Sequence, residues 1–263
     1  RSVLDQETVG LEYVVVDGGS RDGSVDIMRK FADRLAFCIS EPDKGHYNAV
    51  NKGLAKTTGD VMAWLNADDM LVAGSLAVVM EVFQQHPGVE WITGIPAYWD
   101  EQGRLVDVAE RIPAYNRDCL RRGEHDSRIL PGIQQESCFW RRSLWEKVGG
   151  LDTRWDLAGD FDLWTRMARH AELVTVSTVL AGNRRHVNQR SAVQKARYFE
   201  QVDAIARTRG ARRWLRSPFL QRLRRMSGGT ILYRGLVGRC RGTVLQRECP
   251  PRTGWVSSQR LAV

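Results

Sequence analysis

The stretch Val61-Met62-Ala63-Trp64-Leu65-Asn66-Ala67-Asp68-Asp69-Met70-Leu71 passes from apolar residues to a cluster of carboxylates with no polar transition between them. Preceded by the turn-forming pair Gly59-Asp60, its apolar part has the composition of a strand buried on both faces of a sheet. Acids at the C-terminal end of such a strand lie at a sheet edge, where open α/β folds bind ligands. Two readings of Asp68 and Asp69 stand at this point. Neighbouring carboxylates attract a divalent cation, because hard cations prefer oxygen ligands. An Asp at a strand-to-helix junction also caps the helix that follows.

Toward the N-terminus, residues 11–16 form a β-branched run that ends in Asp17-Gly18-Gly19-Ser20-Arg21-Asp22-Gly23-Ser24. Val25, Met28 and Phe31 then recur at helical spacing, with Asp22 or Ser24 as the cap. Residues 35–39 read as a second strand, closed by Glu41-Pro42-Asp43-Lys44-Gly45, and Tyr47, Val50 and Leu54 mark one face of the next helix. A further helix is expected from about residue 75 to 85, stopped by Pro87-Gly88. Strands alternating with helices at this pace imply an α/β fold with a mostly parallel sheet flanked by helices. After Val89 the rhythm shortens: residues 90–94, 97–99, 104–108 and 137–140 read as strands, 143–150 and 158–167 as helices. Residues 111–131 show little periodicity and read as a mobile loop over the site.

Taken together, four segments give the chain a resemblance to the family 2 glycosyltransferases with the GT-A fold, over most of residues 1–190. They are Val14-Val15-Val16-Asp17-Gly18-Gly19-Ser20-Arg21-Asp22-Gly23-Ser24, the run from Gly45 to Asn51-Lys52-Gly53, Trp64-Leu65-Asn66-Ala67-Asp68-Asp69, and Gly159-Asp160-Phe161-Asp162-Leu163-Trp164. The resemblance implies a Rossmann-like GT-A domain at 1–195 and leaves 196–263 as a basic, partly helical appendage. Arg1 to Gln6 look like the end of the family's first helix, so its first strand and true N-terminus are expected to lie upstream.

The resemblance also implies roles. Transfer of a sugar from a nucleotide diphosphate builds negative charge on the departing group, which bound Mg2+ or Mn2+ would neutralise. Asp68 is the first choice of metal ligand, with Asn66 and Asp69 beside it; Asn66 stands where many relatives carry Asp. Asp17 is placed to hydrogen-bond the nucleoside, usually uridine, since a carboxylate suits hydroxyl and imide donors. Lys44 and Asn48, at the mouth of a helix, are placed to meet the nucleotide's phosphates, the alternative for Lys44 being a solvated surface charge. Asp160 falls on the family's catalytic base, with Gly159 where many relatives carry Glu. Asp162 reads as a structural partner of Arg166 at i+4. Gln134, Gln135 and Glu136 are expected near the acceptor, with Trp140 or Trp155 stacking on a sugar. His186, after Arg184-Arg185, would add a metal or phosphate contact, or be a satisfied surface histidine.

Composition bounds the rest. The 263 residues, 43% hydrophobic, suffice for one large domain with an appendage, and no run reaches the roughly 18 to 20 apolar residues of a spanning helix. The five cysteines are scattered and never form a CxxC pair, which points to reduced thiols in the cytoplasm. The net charge of +8 hides an asymmetry: residues 181–263 hold 19 Arg and Lys against 3 acids, leaving 20 against 28 before them. An acidic body with a tail near +16 suggests two tasks. Between 207 and 241 the arginines interleave with large apolar residues, which suits an anionic membrane surface better than a nucleic-acid arm, the alternative being ordinary packed helices. The reading is therefore an inverting, hexosyltransferase-type enzyme using a nucleotide sugar, a UDP-sugar first, on a glycan or lipid-linked acceptor in surface polysaccharide or glycolipid assembly. It would work in the cytoplasm, peripherally at the membrane's inner face. The competing readings are a nucleotidyltransferase, which would want a more basic phosphate loop than 17–24, and an Arg-rich nucleic-acid-binding protein.

Overall fold

The computed structural model describes residues 1–212 other than Glu7, Ile129 and Asn188, together with 241–247 and 255–261. In chain order the elements are β1 (Val14–Asp17), α1 (Ser24–Lys30), β2 (Phe37–Ser40), α2 (His46–Leu54), β3 (Val61–Met62), β4 (Met70–Leu71), α3 (Ser75–Gln85) and β5 (Trp91–Thr93). There follow β6 (Ala97–Trp99), β7 (Leu105–Val108), α4 (Arg117–Arg121), β8 (Phe139–Arg141), α5 (Arg142–Val148), α6 (Gly159–Met167) and β9 (Leu173–Val176). The last are β10 (Ala181–Arg184), α7 (Arg190–Val193), α8 (Lys195–Thr208), β11 (Arg241–Arg247) and β12 (Trp255–Leu261).

A six-stranded sheet runs β12-β11-β9-β5-β8-β3, a four-stranded one β4-β10-β6-β7, and β1 pairs with β2 alone. The expected mostly parallel sheet is corrected to mixed sheets. The pairs β1–β2, β5–β9, β9–β11 and β6–β10 are parallel, whereas β3–β8, β5–β8, β4–β10, β6–β7 and β11–β12 are antiparallel. Short connections after Val89 account for part of this, since a tight turn such as that between β6 and β7 can join only antiparallel strands.

Period-2 alternation divides the core between the two faces of the large sheet. Ile92, Phe139 and Val174 turn toward α3, whose Leu76, Val79, Val82 and Phe83 are buried at helical spacing. Their chain neighbours Trp91, Trp140 and Leu173 turn the other way, onto Leu144 of α5 and Leu163, Trp164 and Met167 of α6. Indoles dominate this second face. Trp64 stacks on Trp164 at 5.8 Å, Trp91 on Trp164 at 5.6 Å and Trp140 on Trp145 at 5.9 Å, with Trp64 edge-on to Trp140 at 5.3 Å.

The strand expected through Trp64 is shorter, ending at Met62. Between β3 and β4 lies a turn closed by Asp69 N–H donating to Asn66 O at 3.1 Å. Among the described residues β3 bonds only β8 and β1 bonds only β2. A cavity of about 680 Å3 is lined by both β1 and β3, and also by His46, Asn66, Asp69, Glu136 and Arg184. Beyond Met62 the chain continues without a ladder as far as β4.

Residues 111–131 are corrected as well. They carry α4 and bury Tyr115, Leu120, Glu124, His125 and Asp126 almost completely, so they form part of the packed body. The expected helical appendage contains α8 but also two strands, and β11 joins the body sheet with Val244 opposite Thr175. Residues 213–240, which hold most of the segment expected at a membrane, lie outside the described residues, as do Cys240 and Cys249. No helix among the described residues is long and apolar enough to cross a membrane, and Cys38, Cys119 and Cys138 are not in disulfides.

Candidate active site

The turn 66–69 puts Asp68 and Asp69 well ahead of α3, whose N-cap is Gly74 with no side-chain hydrogen bond, so neither acid caps that helix. The two differ in surroundings. Asp69 is buried, and its Oδ1 accepts from Arg184 N at 3.0 Å and Asn183 Nδ2 at 3.2 Å, while its Oδ2 accepts from Asn66 Nδ2 at 3.1 Å. It ties the turn to β10 and the chain beyond it. Burial pushes its carboxyl up to about 6 against the opposing hydrogen bond from Arg184, with Asp68 adding to the rise. Asp68 is more open, and its Oδ2 lies 2.9 Å from Nε2 of His186. The structure therefore brings His186 to the turn that carries Asn66, Asp68 and Asp69, more than a hundred residues away in sequence.

Gln134, Gln135 and Glu136 lie on the segment leading into β8. Gln134 exchanges two hydrogen bonds with the backbone of Ala97, at 3.0 and 3.2 Å, and Gln135 Nε2 donates to Trp64 O at 2.7 Å. Both amides hold neighbouring chain in place. Glu136 is buried and pushed up to about 8, by burial first and then by Asp69, with Asp160 and Asp68 adding to the effect. Three buried acceptor atoms here, Asn66 Oδ1, Gln135 Oε1 and Glu136 Oε1, have no partner among the described residues, an arrangement that calls for donors or a cation. Trp140 must be corrected as an acceptor residue. It is fully buried within the indole cluster and has no open face for a sugar.

Asp160 lies in the first turn of α6, partly buried, where burial raises its carboxyl above the ordinary range. Its Oδ1 accepts from Phe161 N at 2.8 Å and from the Tyr47 hydroxyl at 3.2 Å, and among the described residues no hydrogen bond reaches Oδ2. Asp162 forms the expected bond with Arg166 at 2.7 Å and takes a second from Arg209 at 2.9 Å.

At the opposite side Asp17 ends β1. Its carboxylate accepts from Gly19 N, Ser20 N and the hydroxyls of Ser20 and Ser40, which hold it down to about 2. Most of its accepting capacity shapes the 17–20 loop. Lys44 is exposed, and its N–H donates to Asn48 Oδ1 at 3.4 Å. Two residues that the sequence did not single out stand beside them at the start of α2. Burial first, then Arg190, keeps the His46 imidazole below its ordinary pKa, against the opposing pull of Asp68 and Asp43. Tyr47 next to it holds Asp160. Their signal was position alone: they directly follow Asp43-Lys44-Gly45.

Among the described residues no group of three or more His, Cys, Asp or Glu side chains is arranged to hold a metal ion. The donor set of Asp68 and His186 fits a divalent ion only if a diphosphate supplies further oxygens, the usual way Mg2+ is held by one or two protein ligands. With that condition the residues fit.

This arrangement of sheets and helices is shared with nucleotide-sugar-binding proteins of known structure. S. aureus TarS in complex with UDP superposes with a TM-score of 0.57 at 16% identity, over 79% of this chain and 59% of that one. A mannosyltransferase from Pyrobaculum calidifontis in complex with GDP-Man and Mn2+ gives 0.53 at 23%, over 74% and 55%. The profile of glycosyl transferase family 2 matches residues 1–143, and the chain belongs to that family. An uncharacterized glycosyltransferase of Mycobacterium tuberculosis is 30% identical over 182 residues, covering 68% of this chain and 66% of the relative. A PGL/p-HBAD biosynthesis glycosyltransferase of Mycobacterium bovis is 30% identical over 181 residues, covering 66% and 64%. The chain thus spans just under two thirds of the length of these relatives.

Proposed function

We propose that the chain is the catalytic body of an inverting glycosyltransferase that moves a sugar from a nucleotide diphosphate, a UDP-sugar in the first instance, to a hydroxyl of a glycan or lipid-linked acceptor. The observation that carries this reading is the start of α2. There His46 faces Asp68 while its neighbour Tyr47 binds Asp160, so two acids far apart in sequence flank one short piece of backbone. Asp68 and His186 would receive the diphosphate side of the donor, and Asp17, Lys44 and Asn48 its nucleoside and phosphates. A divalent ion bound by Asp68 and His186 would supply Lewis-acid neutralisation of the leaving charge.

Asp160 is assigned the base. As the acceptor oxygen bonds to the anomeric carbon, its O–H bond breaks and the proton passes to Asp160 Oδ2. The anomeric carbon–oxygen bond breaks on the opposite face and its electron pair leaves with the diphosphate, inverting the configuration. Burial suits Asp160 to the task, because a raised pKa strengthens a carboxylate as a base. The lipid-linked acceptor and an anionic membrane surface are supported by the charge near +16 of 181–263, which salt-sensitive co-sedimentation with anionic vesicles checks.

The test is a panel of UDP-glucose, UDP-galactose, UDP-GlcNAc and GDP-mannose, assayed for binding and hydrolysis with Mn2+ and with a chelator. Turnover of one donor that Asp68→Ala abolishes supports the reading. Nucleoside triphosphate consumption with pyrophosphate release would replace it with a nucleotidyltransferase.

A further inference from the structure

Tyr47, in the first turn of α2, donates to a carboxylate that the proposed reaction needs. Its hydroxyl lies 3.2 Å from Asp160 Oδ1 and 3.1 Å from Leu157 O, although a tyrosine has one proton to give. An ionised carboxylate is the stronger acceptor, so the proton goes to Asp160 while that acid is charged. Once Asp160 has taken a proton, the hydroxyl can turn to Leu157 O with little movement of the ring.

The ring itself is held from two sides. Asn51, one turn further along α2, accepts from Leu151 N at 3.0 Å and donates to Leu151 O at 2.8 Å, which pins α2 to the connection leading into α6. Gly159 lies against the ring, and a Cβ there would come within 2.7 Å of Tyr47 Cδ2 and Cε2. Any larger residue at 159 would displace the tyrosine. The groups facing Asp160 are Tyr47 from α2, Tyr198 from α8, and Glu136 and Cys138 from the segment entering β8. Of these side chains only Tyr47 bonds to Asp160, and it joins the Phe161 N–H, 2.8 Å from the same Oδ1, in leaving Oδ2 open.

We propose that Tyr47 is the positioning residue of the base: together with the Phe161 N–H it fixes Oδ1 of Asp160, leaves Oδ2 directed to the acceptor hydroxyl, and relaxes to Leu157 O when the base is protonated, with Gly159 providing the room. This rests on the reading of Asp160 as the base. Removing the hydroxyl takes away an interaction that favours the carboxylate, so the Asp160 midpoint should rise.

The direct test needs no donor. In the protein labelled with 13C at the Asp carboxyls, the Asp160 signal, assigned by its loss in Asp160→Asn, is titrated in wild type, Tyr47→Phe and Gly159→Ala. Both variants should shift the midpoint to higher pH; an unchanged midpoint in Tyr47→Phe overturns the proposal whatever the activity. With the donor that the panel above turns over, Tyr47→Phe should lower kcat about tenfold, leave KM within about twofold and move the acid limb of the kcat profile upward. Its cost should vanish in an Asp160→Asn background. If Asp160→Asn itself leaves kcat unchanged, the assignment of the base fails instead, and the titration still decides what Tyr47 does.

Discussion

Burial raises the carboxyls of both Asp160 and Glu136. Asp160 keeps an open oxygen and two donors, so Asp160→Asn should preserve its shape while removing basicity. The expected outcome is a loss of kcat of roughly 10²- to 10⁴-fold with donor affinity retained, measured by steady-state kinetics and donor titration. Equal loss of donor affinity would mark Asp160 as a donor contact. Glu136 is held near 8 when folded against 4.5 as an ordinary glutamate. A raised folded pKa means stability that is complete below 4.5 and lost progressively as pH rises through 8. Glu136→Gln, uncharged at every pH, should match wild type in Tm near pH 4 and exceed it increasingly up to pH 8; parallel Tm curves would contradict this. At this scale the sequence was informative about acids and silent about their partners. Asp68, Asp69 and Asp160 announced themselves by position, whereas Tyr47 read as one apolar helix position, and Trp140 differed from a sugar platform only through burial set by its neighbours on β5 and α6.

Among the elements, those with local signals were legible. The apolar spacing of α3 and its proline stop gave residues 75–85, the bounds that the structure shows, and Gly149, in the left-handed region at φ 76°, ends α5 as a glycine stop should. Residues 111–131 were misread because their order comes from distant charges. Glu124 meets Arg212, and Arg128 meets Asp203, partners 88 and 75 positions away. The strand expected to carry Trp64 stops at Met62 for a related reason: composition reports burial, but a ladder needs a second strand beside it. α6 depends on the same long-range pairing. Asp162 is buried between Arg166 and Arg209, and Asp162→Ala should cost about 3 kcal/mol or more, because two guanidinium groups lose their shared charge. Chemical denaturation measures it; a cost below about 1 kcal/mol would make the pair ornamental to stability.

For the whole molecule, the proposed division into 1–195 and 196–263 meets a sheet that continues across it. β11 covers the outer edge of β9, and Val244 and Leu245 are almost fully buried. Deleting 241–263 should therefore lower Tm and promote self-association through the uncovered β9 edge, read by calorimetry and light scattering. An unchanged Tm in a monomeric product would establish a detachable appendage. The α/β class was legible from residues 11–85 because alternation of strand and helix is a local pattern, while the mixed strand order depends on contacts that no local pattern encodes. The indole cluster gives the molecule one more property. Trp64 stands two residues before Asn66 and stacks nearly flat on Trp164, at 8° between planes. Rings this close share their electronic excitation, so the near-ultraviolet circular dichroism of the protein is a collective signal of the cluster and not a sum of separate chromophores. A ligand that displaces the turn by a fraction of an ångström would alter that signal, and the chain thereby carries a built-in, label-free optical gauge beside the carboxylates assigned to its proposed chemistry.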